Sequence, residues 1–287
     1  MTGVKFINTI IKGAWLMDDD MAARLMPLVP KILAGEPVSF SFGDDEITPE
    51  SHYYLYESDG KVLQTLDRAP EGSLSVAHYS GVVMKETYCG MQGTADLMQT
   101  MKSSDSDPNV SGHLLVLDSG GGAVDGTFEF ASAMNQLSKP VTVYVDGTCC
   151  SGAYAMAMNG HKIIASSKTA TIGSIGVMTT FRDTAKKLEA QGVEQRDIYS
   201  ETSPDKNSAY RAALEGDDGP MQERLTEIDA IFMSEAKAAR PGITEKALLG
   251  GTFLAESAKE HGLIDEIGSF EEAANYALDI SNQLKVK

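Results

Sequence analysis

The sequence predicts an α/β fold, a parallel sheet with crossover helices, that carries a small N-terminal α+β appendage. Three observations predict it. From residue 73 onward, short apolar runs alternate with helix-like segments, the pattern of strands joined through crossover helices. A run of glycines, Gly120 to Gly122, follows the apolar stretch "LLVLDS", where α/β proteins turn from strand to helix. Residues 1–72 have a different texture, with an acidic start and a hairpin signal, so the boundary is drawn between an appendage, 1–72, and a main domain, 73–287.

In the appendage, "DDD" marks a helix start, and Pro27 and Pro30 interrupt any long helix after it. "YYLY" and "KVLQTL" flank "ESDG", in which Asp59-Gly60 supplies the left-handed backbone of a tight hairpin. The segment is expected to serve packing or oligomerisation; autocleavage lost in Ser151→Ala would mark it instead as processed.

In the main domain, "LSVAHYSGVVM" reads as a strand pair or bent strand, "TADLMQTMKSS" as a helix and "DSDPN" as a polar turn. "HLLVLDS" is a buried strand, followed by a glycine turn and helix in "GGGAVDGTFEFASAMNQLS". "PVTVYVDG" is the next strand, "GAYAMAMNG" a helix of small residues, and "KIIASS" and "GSIGVM" short strands. "RDTAKKLEAQG" is helical, "VEQRDIYS" a strand, and "ETSPDKNSAYRAALEGDDGP" a loop with a lysine near a helix start. "MQERLTEIDAIFMSEAKAAR" puts Leu225, Ile228, Ile231 and Phe232 on one helical face and stops at Pro241-Gly242.

Composition narrows the function. A net charge of −17 with no basic patch argues against nucleic acid or anionic membrane as a partner. The N-terminal residues lack a secretory signal and no window offers a membrane span, so no membrane anchor and a cytoplasmic location are expected. The three cysteines, Cys89, Cys149 and Cys150, form no disulfide framework or zinc pattern and read as small buried apolar residues.

The candidate chemistry centres on "DGTCCSGAYAMAMNG". Ser151 stands between a strand and a helix, where it serves either as a helix cap or as a nucleophile whose oxyanion is stabilised by the next N–H. A serine nucleophile needs a base. None of His52, His78, His113, His161 and His261 has a motif around it, and Lys206 in "SETSPDKNSAYRA" is the better candidate. The glycines Gly120 to Gly122 form either a plain turn or a place where backbone N–H groups approach a ligand oxygen; neither phosphate-binding glycine motif is present.

Four stretches, "LVLDSGGGAV", "VDGTCCSGAYAMAMNGHKIIASSKTATIGSIGVM", "SETSPDKNSAYR" and "FLAESAKEHGLIDEIGSF", resemble the signal peptide peptidase A (SppA) family of Ser/Lys peptidases. That family includes bacterial signal-peptide-degrading enzymes and the prohead (capsid-maturation) proteases of tailed phages. The resemblance implies Ser151 as nucleophile and Lys206 as general base. It implies Gly122 and Gly152 as oxyanion donors and Ser174 as a hydrogen-bond partner of the lysine. It also implies a ClpP/crotonase-like stack of ββα units, assembly into a homo-oligomeric ring, and no metal or organic cofactor. Gly120 stands where the family usually has proline, Cys150 where Ala or Ser is commoner, and Ala153 in place of a glycine.

A lysine is a base only when uncharged, and lowering an amine from about 10.4 to about 7 takes roughly 4 to 5 kcal/mol. Lys206 is therefore expected to be desolvated, by its own chain, by a neighbouring subunit or by substrate. The substrate, a peptide or protein, is expected to lie extended and add to a sheet edge beside the site. The favoured setting is a phage or prophage protease acting on scaffold and head proteins, within a prohead. The alternatives are a soluble bacterial SppA-like peptidase, a crotonase-like acyl-CoA enzyme, and an inactive structural homologue.

Overall fold

The computed structural model describes residues 69–87, 91–194 and 196–285, with the backbone of three strands nearer the N-terminus. Those strands are β1 (Trp15–Met17), β2 (Tyr54–Tyr56) and β3 (Val62–Leu63). The expected "DDD" helix, Pro27, Pro30, His52 and Cys89 lie outside the described residues.

The main sheet is built on β4 (Ser73–Ser80), β5 (Val110–Ser119), β7 (Val141–Cys150) and β8 (Lys162–Ala165), all parallel in the order β4-β5-β7-β8. Parallel neighbours need crossovers. Helix α1 (Thr94–Asp105) supplies the first and α2 (Thr127–Met134) the second. Between β5 and α2 lies the short strand β6 (Gly121–Ala123), and Val83, after β4, makes an isolated parallel bridge to Gly122. The first two turns of chain are thus each a strand, a second short extended piece and a helix, the ββα arrangement that the family resemblance implies. The expected antiparallel pair is also present, with Leu55 opposite Leu63, and β2 adds antiparallel to the outer edge of β4; Asp59-Gly60 lies outside the described residues.

Strand β7 is longer than its sequence pattern suggested, because it changes neighbour. Its first half pairs with β8, through Thr142 to Val145, and its last three residues pair with β9 (Thr171–Gly173). Gly147 sits at the switch with φ 113°, a left-handed value that suits glycine. Strand β10 (Thr252–Leu254) then pairs antiparallel with β9, and β11 (Glu266–Ile267) parallel with β8.

Side-chain alternation sends the two faces of the sheet into two cores. Leu114 and Val116 of β5 pack with Ala273, Ala274 and Ala277 of the C-terminal helix α8 (Phe270–Lys285). Leu115 and Leu117 face Leu97 and Met101 of α1, Phe130 and Met134 of α2, and α3 (Gly152–Ala157). The remaining helices are α4 (Ala185–Ala190), α5 (Ser208–Leu214), α6 (Gly219–Ala239) and α7 (Ala255–Glu260). No helix among the described residues is long and apolar enough to cross a membrane.

Two expected strands do not form. "GSIGVM" holds only the last residue of β9, because Gly173 and Ser174 both take positive φ, 118° and 52°, and turn the chain out of the sheet. "VEQRDIYS" contributes no strand among its described residues; Ile198 is 93% exposed, and without a sheet edge to join, an extended run leaves its backbone to water. The expected face of α6 is only partly used. Phe232 is buried, Leu225 and Ile228 are half-buried, and Ile231 is 50% exposed.

A polar anchor ties α1 to β5 and to the start of β7. Asp105 accepts from the Ser138 N–H and hydroxyl, both at 2.9 Å, and from the Lys139 N–H at 3.0 Å, with His113 Nε2 at 3.1 Å. Burial alone would raise its pKa, but these groups outweigh it and hold the carboxyl well below the usual carboxylate range. A depressed folded-state pKa stabilises the fold above the unfolded value of about 3.9 and loses that contribution as pH falls toward the folded value. Asp105→Asn is expected to cost about 2 kcal/mol at neutral pH and to flatten the acid limb of stability below about pH 4. Urea melts of both proteins between pH 2 and 7 check this.

Candidate active site

Ser151 is where β7 has to become α3. The pairing of Cys150 with Gly173 carries β7 to its last residue, and the Ser151 N–H still donates to the Gly173 carbonyl at 2.7 Å. The next residue is already helical, so Ser151 absorbs the whole change of direction, at φ 53° and ψ −117°. A non-glycine residue there is strained by about 1 to 3 kcal/mol. The capping role, which would explain a serine at this place, is not realised: its side chain makes no cap hydrogen bond to α3. The hydroxyl is fully buried, and its recorded contact is a long 3.4 Å bond to the Gly176 carbonyl. Ser151→Gly is therefore expected to raise stability by about 1 kcal/mol while removing the hydroxyl, which calorimetry would detect as a higher Tm.

Gly122 lies in β6, against which α3 packs. A Cβ on Gly122 would stand 2.1 Å from the Val83 carbonyl oxygen and 2.5 Å from its nitrogen, so glycine is required by close approach of backbone. The direction of its N–H follows from its neighbours. The Gly121 carbonyl accepts from the Val83 N–H at 2.9 Å, and the Ala123 N–H donates to the Val83 carbonyl at 2.8 Å. In a trans peptide the C=O and N–H point opposite ways, so the Gly122 N–H and C=O face the edge away from Val83. Gly152, the first residue of α3, is buried beside Ser151. Helix α3, which begins at Gly152 directly after Ser151, packs on β6, the strand that holds Gly122.

Ser174 follows the Gly173 that holds Ser151, and its N–H donates to the Gly251 carbonyl at 2.8 Å. Lys206 is a different matter. It is exposed on the turn before α5, where its N–H donates to the Ser203 carbonyl at 3.2 Å and Asn207 takes φ 55°. No hydrogen bond joins Lys206 to Ser151 or to Ser174 within the single chain, and desolvation by the chain itself is not what the structure has. Of the three expected sources of desolvation, a neighbouring subunit and substrate are the two that the exposed position of Lys206 leaves.

Cys149 and Cys150 are buried thiols, and burial pushes the Cys149 thiol pKa up, away from nucleophilic use. His161 Nδ1 accepts from the Val141 N–H, His113 faces Asp105 and His261 contacts Thr244, so the structure gives none of these three histidines to Ser151. Sequence reasoning missed the strain at Ser151 and the strand β1, whose only signal was the apolar triplet "WLM".

Comparison with protein-family profiles matches residues 133–285, more than half of the chain, to peptidase family S49. The chain belongs to peptidase family S49. Among relatives of this S49 chain, Protease 4 of Salmonella typhi is 27% identical over 220 residues, covering 73% of the chain and 35% of that protein. Capsid assembly protease C of Escherichia phage lambda is 27% identical over 216 residues, covering 72% of the chain and 49% of that protein. The chain therefore spans less than half the length of either of these two. Among solved structures, a mutant of the 1510-N membrane-bound stomatin-specific protease aligns with a TM-score of 0.45 and 16% identity, over 69% of this chain and 80% of that one.

Proposed function

We propose that this S49 chain is a serine peptidase in which Ser151 attacks the peptide carbonyl and Lys206 is the general base. The observation that carries this reading is a serine held in strained backbone whose hydroxyl does no capping. Strain of that kind persists when surrounding structure imposes it, and it clusters at reacting groups. The Gly122 and Gly152 N–H groups stabilise the oxyanion, and Ser174 orients the lysine. Collapse of the intermediate with proton transfer to the leaving amine gives an acyl-enzyme, which a lysine-activated water hydrolyses.

Because Lys206 is exposed in the single chain, the pair closes by movement of the 201–207 turn or by contact with a second subunit. The half-open face of α6 at Ile231 and the exposed Leu249 and Leu254 support an oligomer. In this proposal residues 1–72 are the appendage and 73–287 the peptidase unit. The family match supports a general SppA-like peptidase more broadly than the capsid-maturation setting expected from the sequence. The likeness to Capsid assembly protease C of phage lambda favours that narrower reading and keeps it as a second one.

The test is mass spectrometry of peptides and candidate scaffold proteins incubated with wild type and with Ser151→Ala. Cleavage confined to the wild type, with fluorophosphonate labelling at Ser151, is the expected result. Equal fragment patterns, or no fragments with the oligomer intact, would reject the proposal.

A further inference from the structure

The edge of β6 that carries the Gly122 N–H is already taken. Strand β1 pairs antiparallel with it, Trp15 opposite Ala123, Leu16 opposite Gly122 and Met17 opposite Gly121. The Gly121 carbonyl and the Ala123 N–H are spent on Val83. The pair that exchanges hydrogen bonds across this edge is therefore Leu16 with Gly122, the Gly122 N–H toward the Leu16 carbonyl and the Leu16 N–H toward the Gly122 carbonyl. Strand β1 also lies against α3, the helix that begins after Ser151.

We propose that β1 is an intramolecular occupant of the substrate-strand position, an autoinhibitory contact that must leave before a peptide is cleaved. The inference rests on the peptidase reading above for its consequence, though not for its geometry. One N–H cannot serve both the Leu16 carbonyl and an oxyanion forming on Ser151, so the two states exclude each other. An extended peptide adding to the same edge would form the same ladder, residue for residue, which makes β1 and substrate direct competitors. The full burial of Ser151 points the same way, since a hydroxyl with no exposed surface meets no peptide until a covering element moves.

Register supplies the test. In an antiparallel strand alternate N–H groups face opposite edges, so Leu16→Pro removes the donor to Gly122 whereas Met17→Pro removes one that points away. Both variants place proline in the same strand, so a general folding defect would affect both. Amide exchange at Gly122 and the rate of fluorophosphonate labelling at Ser151 are measured in full-length wild type, Leu16→Pro and Met17→Pro. The expected result is slow exchange at Gly122 in wild type and Met17→Pro. In Leu16→Pro, exchange and labelling should both be faster by about 5-fold or more, the effect of losing one hydrogen bond.

Fast Gly122 exchange in wild type, or the same behaviour in all three proteins, would overturn the proposal. Release of the N-terminal residues by wild type but not by Ser151→Ala would overturn its inhibitory role, because the strand would then be a substrate. The expected exchange pattern with no labelling in any protein would leave the occupancy standing and reject the peptidase reading instead.

Discussion

Lys206→Ala is expected to lower peptide hydrolysis and fluorophosphonate labelling of Ser151 by at least about 10³-fold, because a serine hydroxyl is a weak nucleophile without its base. Its stability should stay within about 0.5 kcal/mol of wild type, since the side chain is exposed on a turn. That combination separates a base from a structural lysine. Lys206→Arg should be as inactive as the alanine variant, because a guanidinium keeps its proton at any pH the protein survives. Thermal melts alongside labelling rates check all three proteins. A Lys206→Ala protein labelled at the wild-type rate would remove this lysine from the chemistry.

Gly122→Ala should damage both stability and catalysis. Its methyl group would stand 2.1 Å from the Val83 carbonyl oxygen, and the obstacle is backbone rather than the end of a flexible side chain. The β6 segment must shift, at about 1 to 3 kcal/mol of stability. The N–H moves with it, and misplacing one oxyanion donor costs about 10²-fold or more in kcat. Gly176→Ala is the matched contrast. Gly176 supplies the carbonyl contacted by Ser151, yet a Cβ there meets nothing nearer than the Gly250 Cα at 3.5 Å, and near wild-type stability is expected. Denaturant melts and steady-state kinetics of the two variants make the comparison.

Much of the architecture was legible because it depends on local pattern. The alternation of "HLLVLDS" puts Leu115 and Leu117 on one face and Leu114 and Val116 on the other, and the strand forms as that pattern demands. The small residues of "GAYAMAM" allow α3 to sit against β6, and the runs "YYLY" and "KVLQTL" supply the paired strands β2 and β3. "VEQRDIYS" misled for a physical reason: its Val, Ile and Tyr residues suit a strand, but a strand exists only where another edge accepts its backbone. "GSIGVM" misled because two consecutive residues turn left-handed, which their side chains do not announce.

What the sequence determined by itself is the order of the main parallel strands and their crossover helices and the place of Ser151 between a strand and a helix, since these follow from side-chain periodicity and turn chemistry over a few residues. What only the tertiary structure decided is how those pieces meet. The pairing of β7 with β9 forces the strain on Ser151, Val83 aims the Gly122 N–H, β1 takes the edge it faces, and Lys206 is left in solvent. The first three of these depend on backbone groups far apart in the chain finding a partner, and no local stretch of sequence encodes which partner that will be.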